Sequence, residues 1–241
     1  MRDGLLLINK PSGPTSHDVV QLIRRTLAVR RVGHAGTLDP MAKGLLIVLV
    51  GTATKHQQAF QRHEKTYAAV LQLGSQTDTG DADGATVRTA PVPSLDQGHV
   101  AKVLAAFIGP LVQTPPRYSA VKVRGRPAYW WARRNQPLSL PSRTVQVLDI
   151  RLDACEAGRI RFQVRCSAGT YIRSLAEVIA ERLGTVGHLA ELTRLTIGEW
   201  TLDEAKPMAW VREAGAEVLA RELRPVDVVR TQTVRSAGLV R

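Results

Sequence analysis

Leu5 to Ile8 form an unbroken apolar run closed by Pro11, Gly13 and Pro14, the pattern of a short buried strand over residues 4–9. Directly after it, Thr15 and Asp18 have the spacing of a capping box. Val19, Val20, Ile23 and Leu27 then recur at helical spacing, with Arg24 and Arg25 on another face. This predicts a helix that runs out near Arg30 and Arg31. A loop rich in turn residues, Gly33 to Lys43, leads to a second apolar run, Leu45 to Val50, which suits a buried strand or a short helix. A helix around Ala53 to Phe60 and a strand over Lys65 to Leu73 follow.

Further along, Ser94 and Gln97 are placed to cap a helix whose core face is Val100, Val103, Leu104 and Phe107. Val145 to Leu152 reads as a strand. In Arg159 to Ser167 the alternation is cleaner, with Ile160, Phe162, Val164 and Cys166 on one face. A helix carrying Leu175, Val178 and Ile179 is expected to end at Gly184, and a last helix to span Met208 to Leu223. Strands and helices mix without regular βαβ alternation, which predicts an α+β fold around a mixed, largely antiparallel sheet flanked by helices. Residues 113–142, with Pro115, Pro116, Pro127, Pro137 and Pro141, fit no regular element, and a stretch of this kind inside a compact domain is commonly functional.

Charge sharpens the picture. Of 241 residues, 33 are Lys or Arg and 21 are Asp or Glu, a net charge of +12 that favours a polyanionic partner, nucleic acid first among them. No apolar run approaches the roughly 20 residues a membrane helix needs, and the N-terminus lacks a secretory apolar core, so no membrane association and a cytoplasmic location are expected. Cys155 and Cys166 form no Cys-x-x-Cys pair, which argues against a disulfide framework or a cysteine zinc site. Asp81-Ala82-Asp83-Gly84 hints at a calcium loop, but Thr79 and Ala90 occupy ligand positions, and a turn fits better. Gly51-Thr52-Ala53-Thr54-Lys55 lacks the second glycine of a phosphate-binding loop, and His63-Glu64 lacks a second histidine at zinc-protease spacing. No cofactor and no metal are therefore expected.

Two segments carry candidate chemistry. Between Arg117 and Arg134 lie Arg117, Lys122, Arg124, Arg126, Arg133 and Arg134, with no acidic residue, interleaved with Tyr118, Tyr129, Trp130 and Trp131. Cations neutralise phosphates and aromatic faces stack on unpaired bases, a pairing suited to RNA. Trp130 and Trp131 cannot easily both be buried if the segment is helical, because adjacent residues point apart. The other segment, Gly33-His34-Ala35-Gly36-Thr37-Leu38-Asp39-Pro40, sets a histidine and a carboxylate on a glycine-flanked loop. Taken alone, Asp39-Pro40 reads as a turn or helix start with the aspartate as cap.

Six ordered blocks alter that reading. They are Asn9-Lys10-Pro11-Ser12-Gly13 with Thr15-Ser16; Gly33 to Asp39 with Lys43-Gly44; Lys65-Thr66-Tyr67; Thr77 to Gly84; Pro115 to Lys122; and Cys166 to Arg173. In this order they resemble the TruB-type tRNA pseudouridine synthases. Two departures stand out: Thr193 precedes Arg194 where the family commonly has two arginines, and Trp130 and Trp131 follow Tyr129 where less bulky residues are usual. Both are expected to affect RNA grip or local packing more than chemistry.

The resemblance implies the pseudouridine synthase fold with a basic RNA-gripping thumb over 113–142. It also implies cofactor-free isomerisation of uridine 55 in the T-loop of tRNA, by base flipping and C-glycoside formation. Asp39 would be the essential carboxylate and Arg173 its cationic partner, with Tyr67 stacked on the flipped base. His34 would enter the space left by the flipped nucleotides or contact the RNA backbone. Tyr171 and Leu192 would line the uracil pocket, Arg124 and Arg126 would grip RNA, and Lys10 would pack beneath the catalytic loop. Residues 1–225 would form the catalytic domain and 226–241 a short tail in place of the family's C-terminal PUA domain. The expected partner is the tRNA T-arm, bound by a monomer with no obligate protein partner. The alternative is a catalytically idle RNA-binding or tRNA-folding protein on the same scaffold, which would need neither Asp39, Tyr67 nor Arg173.

Overall fold

The structure is a computed structural model, described for residues 3–226. The chain divides into two compact units, one made of residues up to 65 and from 193 onward, the other of residues 66–192.

The first unit opens with β1 (Gly4–Lys10), α1 (Ser16–Leu27), β2 (Val32–His34) and β3 (Lys43–Val50). A 3₁₀ turn, Gly51–His56, then leads into α2 (Gln57–Arg62), so the helix expected over 53–60 begins as the tighter form. β1 and β3 pair antiparallel from Gly4↔Val50 to Lys10↔Gly44. Their apolar runs do not alternate because both faces are covered. Leu6, Ile8, Leu46 and Val48 pack with Val19, Val20, Ile23 and Leu27 of α1, whereas Leu5, Leu7, Leu45, Ile47 and Leu49 pack with Phe60 and Trp200. The capping box is present: Thr15 Oγ1 accepts from the Asp18 amide at 3.1 Å and the Asp18 carboxylate accepts from the Thr15 amide at 2.8 Å. A left-handed Ala28 ends the helix after Leu27, short of Arg30.

The second unit contains β4 (Lys65–Leu73), β5 (Ser75–Thr77), β6 (Thr86–Thr89), α3 (Gln97–Ala105) and β7 (Gly109–Gln113). The cap of α3 is Asp96, which accepts from the His99 amide at 2.8 Å, and not Ser94; a carboxylate one residue before the helix has the reach that Ser94 lacks. Then come β8 (Lys122–Val123), β9 (Arg126–Pro127), α4 (Ala128–Ala132), β10 (Arg143–Glu156), β11 (Arg159–Cys166) and α5 (Ile172–Arg182). Residues 113–142 are thus not wholly irregular. They hold a two-strand hairpin turning at Arg124 and Gly125, both at positive φ, and one turn and a half of helix. β10 pairs antiparallel with both β11 and β7, and Val145, Val147, Ile150, Ile160, Phe162 and Val164 are buried. β12 (Gly187–Ile197) begins here and ends in the first unit; its mixed polarity hid it from the periodicity reading.

From Thr193 the chain completes the first unit. Thr193 and Arg194 pair parallel with Lys43 and Gly44 of β3. β13 (Trp200–Thr201), β14 (Lys206–Pro207), α6 (Met208–Glu213) and α7 (Gly215–Arg221) follow. The single helix expected over 208–223 is interrupted at Gly215, whose φ of +69° lies outside the helical region. Sheet and helices agree with the α+β expectation. Among the described residues no helix is long and apolar enough to cross a membrane. The proposed tail beyond residue 226 lies outside the described residues.

Candidate active site

The loop from Ala35 to Ala42 is built by pinning its peptides one after another. Arg194 donates from Nη2 to the Gly36 carbonyl at 3.1 Å and from Nη1 to the Thr37 carbonyl at 3.3 Å. Ser16 Oγ accepts from the Leu38 amide at 2.8 Å and donates to the Leu38 carbonyl at 3.1 Å. The Asp39 carbonyl accepts from the Ala42 amide at 3.1 Å. The Pro40 carbonyl takes the Gly13 amide at 2.9 Å and Lys10 Nζ at 3.2 Å. Lys10, fully buried, also donates to the carbonyls of Pro11 and Pro14, so it does pack beneath the loop as expected. Leu38 is buried at the turn, and Asp39 beside it remains half-exposed. A backbone held at five consecutive carbonyls leaves the aspartate little choice of direction.

His34 closes β2 at the start of this loop. It is half-buried, and its Nδ1 has no hydrogen-bond partner among the described residues. Burial, then the nearby charge of Arg194 and of His17, hold its pKa below the usual 6.5, so the ring is neutral at physiological pH.

In the second unit, Tyr67 is buried on β4 and Leu192 is buried on β12. Arg173, the second residue of α5, is 3% exposed. Its Nη1 donates to the Thr79 carbonyl at 2.7 Å and its Nη2 to the Tyr118 carbonyl at 2.8 Å, while Nε lies 3.5 Å from the Asp81 carboxylate. Asp81 is itself aimed, accepting from Thr79 Oγ1 at 2.6 Å and from the Asp83 amide at 3.2 Å. The segment that the failed calcium pattern marked as a mere turn therefore supplies a carboxylate to Arg173. Tyr171 caps α5, its backbone exchanging hydrogen bonds with the Gln113 amide group at 3.1 and 3.2 Å, and the Arg143 guanidinium sits 4.7 Å over its ring.

The thumb presents Arg124 and Arg126 to solvent at its hairpin. Trp130 and Trp131 are both half-buried and meet edge to face at 4.9 Å; Trp131 Nε1 donates to the Val123 carbonyl at 3.2 Å. Arg134 lies 3.8 Å and Arg126 5.5 Å from the Trp130 ring centre, and Arg133 5.6 Å from that of Tyr129. The aromatics thus hold these arginines over their ring faces. Asp39 and His34 belong to the first unit, and Tyr67, Arg173, Tyr171, Leu192, Arg124 and Arg126 to the second. Sequence reasoning missed Asp81 as a partner of Arg173 and the inward role of Arg194. The Thr77 to Gly84 block held the signal for the former; for the latter only the family's arginine pair hinted at it.

Comparisons with known proteins agree with this architecture. A chain of a Cbf5–Nop10–Gar1 complex superimposes with a TM-score of 0.71 at 29% identity, covering 93% of this chain and 60% of that one. The corresponding chain of an H/ACA RNP bound to a substrate RNA containing 2′-deoxyuridine gives 0.67 at 28% identity, over 92% of this chain and 59% of its own. This chain thus spans about 60% of the length of those structures. The fold is that of a pseudouridine synthase. Residues 24–172 match the TruB family pseudouridylate synthase (N terminal domain). The tRNA pseudouridine synthase B of Chromohalobacter salexigens is 42% identical over 95% of this chain and 75% of its own length, and that of Opitutus terrae 40% identical over 93% of each. The chain belongs to the TruB family of pseudouridylate synthases.

Proposed function

We propose that this protein isomerises uridine 55 in the T-loop of tRNA to pseudouridine, with Asp39 as the essential carboxylate. The observation that carries the reading is the Gly36–Pro40 loop, pinned at each carbonyl with the Asp39 side chain half-exposed beside it. The names of the relatives support the substrate. In the reaction the bond from ribose C1′ to N1 breaks, the base turns, a bond forms from C1′ to C5, the C5 proton leaves, and N1 takes up a proton, so that the product is an isomer of the substrate. A carboxylate at the sugar serves by attack on C1′, by stabilising an oxocarbenium-like centre, or by removing a sugar proton.

In this reading Arg173 supplies the positive charge that keeps the carboxylate ionised, and Tyr67 is the platform for the flipped base. Tyr171 and Leu192 line the uracil pocket, His34 meets the RNA as a neutral ring, and Arg124 and Arg126 bind phosphates of the T-arm. Residues 1–225 act as the catalytic domain, with 113–142 as thumb. The protein works as a cytoplasmic monomer on tRNA, without cofactor or obligate protein partner. A catalytically idle RNA binder would have no need for the pinned Asp39 loop.

The test is incubation with an unmodified tRNA transcript followed by mapping of pseudouridine. Product confined to the T-loop uridine supports the proposal. Tight tRNA binding with no product at that position favours the idle RNA binder.

A further inference from the structure

Arg194 is 1% exposed, and arginine is almost never buried so completely without a dedicated set of acceptors. Its donors meet peptide carbonyls. Nε donates to Leu45 at 2.7 Å, Nη1 to Thr37 and Nη2 to Gly36. One guanidinium thus ties the start of β3 to the two residues that enter the Leu38–Asp39 turn. The backbone is shaped for it. Gly44 lies at φ +106°, where a Cβ would collide with the Arg194 backbone, so only glycine lets β3 approach β12 closely enough for the side chain to reach the loop. The guanidinium is a planar fork with donors in fixed directions, whereas a lysine ammonium is a point charge on a flexible stem and does not reproduce that geometry.

We propose that Arg194 is a positioning residue for Asp39: it acts through the carbonyls of Gly36 and Thr37 to aim the carboxylate and makes no RNA contact. The proposal rests on the reading of Asp39 as the catalytic carboxylate. Lys10 and Ser16 hold the far side of the same turn, whereas Arg194 clamps it from the C-terminal part of the chain, 155 positions beyond Asp39 by the numbering. Its burial also separates it from the thumb arginines, whose charges face solvent. A displacement of the reacting group by about 1 Å can cost about a hundredfold in rate, which sets the scale of the effect.

The test uses the full chain and unmodified tRNA transcript, with Arg194→Lys and Arg194→Gln beside the parent and Asp39→Asn. Melting temperature, tRNA Kd and single-turnover pseudouridine formation are measured. In whichever Arg194 variant melts within about 5 °C of the parent, the rate should fall at least about thirtyfold while Kd stays within about twofold. A folded variant at the parental rate overturns the proposal, as does a Kd that weakens in step with the rate, which would make Arg194 an RNA-binding residue. If neither variant folds, Arg194 belongs to the scaffold and the proposal is equally overturned. A parent enzyme that forms no pseudouridine, or an Asp39→Asn variant that still does, refutes the functional reading itself and is told apart by those two controls.

Discussion

Arg173 and Asp81 face each other at 3.5 Å with side chains only 3% and 7% exposed, one on α5 and the other in the turn between β5 and β6. Breaking a buried ion pair by removing one of its members costs about 3–5 kcal/mol. Asp81→Ala should therefore destabilise the protein by an amount in that range, read from urea unfolding. Asp81→Asn retains an acceptor for Thr79 and should cost less. A loss below about 1 kcal/mol for Asp81→Ala would mean that water reaches Arg173 readily.

Asp39→Asn keeps the size of the side chain and removes its charge. Pseudouridine formation should vanish while tRNA affinity stays within a few fold. A residual rate above about a tenth of the parent, a barrier change of only about 1.4 kcal/mol, would disprove the assignment.

Tyr67→Phe keeps a ring for stacking and loses the hydroxyl. If that hydroxyl moves a proton, turnover should drop by about a hundredfold or more, the lower end for general acid–base help. A near-parental rate would leave Tyr67 as a stacking platform alone.

At the thumb, Arg124 and Arg126 are exposed, and Arg126 is held 5.5 Å over Trp130. Replacing both by Ala should weaken tRNA binding without moving the modified position. The log Kd against log salt slope should flatten by about 0.7 to 0.9 for each phosphate that is no longer neutralised. An unchanged slope would place these arginines away from the RNA.

His34 and His63 both titrate below 6.5 in the folded protein, His34 through burial and then Arg194, His63 through burial and then Lys65. The unfolded chain therefore takes up these protons first as pH falls. Their contribution to stability is complete above about 6.5 and is lost as pH drops from there toward the lower folded values. The urea midpoint should decline between about pH 7.5 and 5.5, and the His34→Gln, His63→Gln double variant should show a shallower decline. A midpoint that rises on acidification would contradict the sign.

What the sequence settled by itself is local. The Thr15–Asp18 capping box needs only three residues of spacing, and the run Leu5 to Ile8 and the alternation Ile160, Phe162, Val164, Cys166 read out burial directly, because a strand's faces follow chain position. Asp39 and Arg173 became candidates only through six ordered blocks, since a lone aspartate before proline is more often a cap. The tertiary structure decided the rest. β12 carries His188, Glu191 and Arg194 among its apolar residues and gives no clean period, yet it is a strand of 11 residues because β3 accepts it alongside. Arg194 looks like a surface residue in the sequence, and Asp81 looks like a turn residue. Each becomes buried because its partners arrive from far along the chain, Gly36 and Thr37 for the one and Arg173 for the other. Burial of a charge depends on acceptors brought together in space, and no window of the sequence contains them.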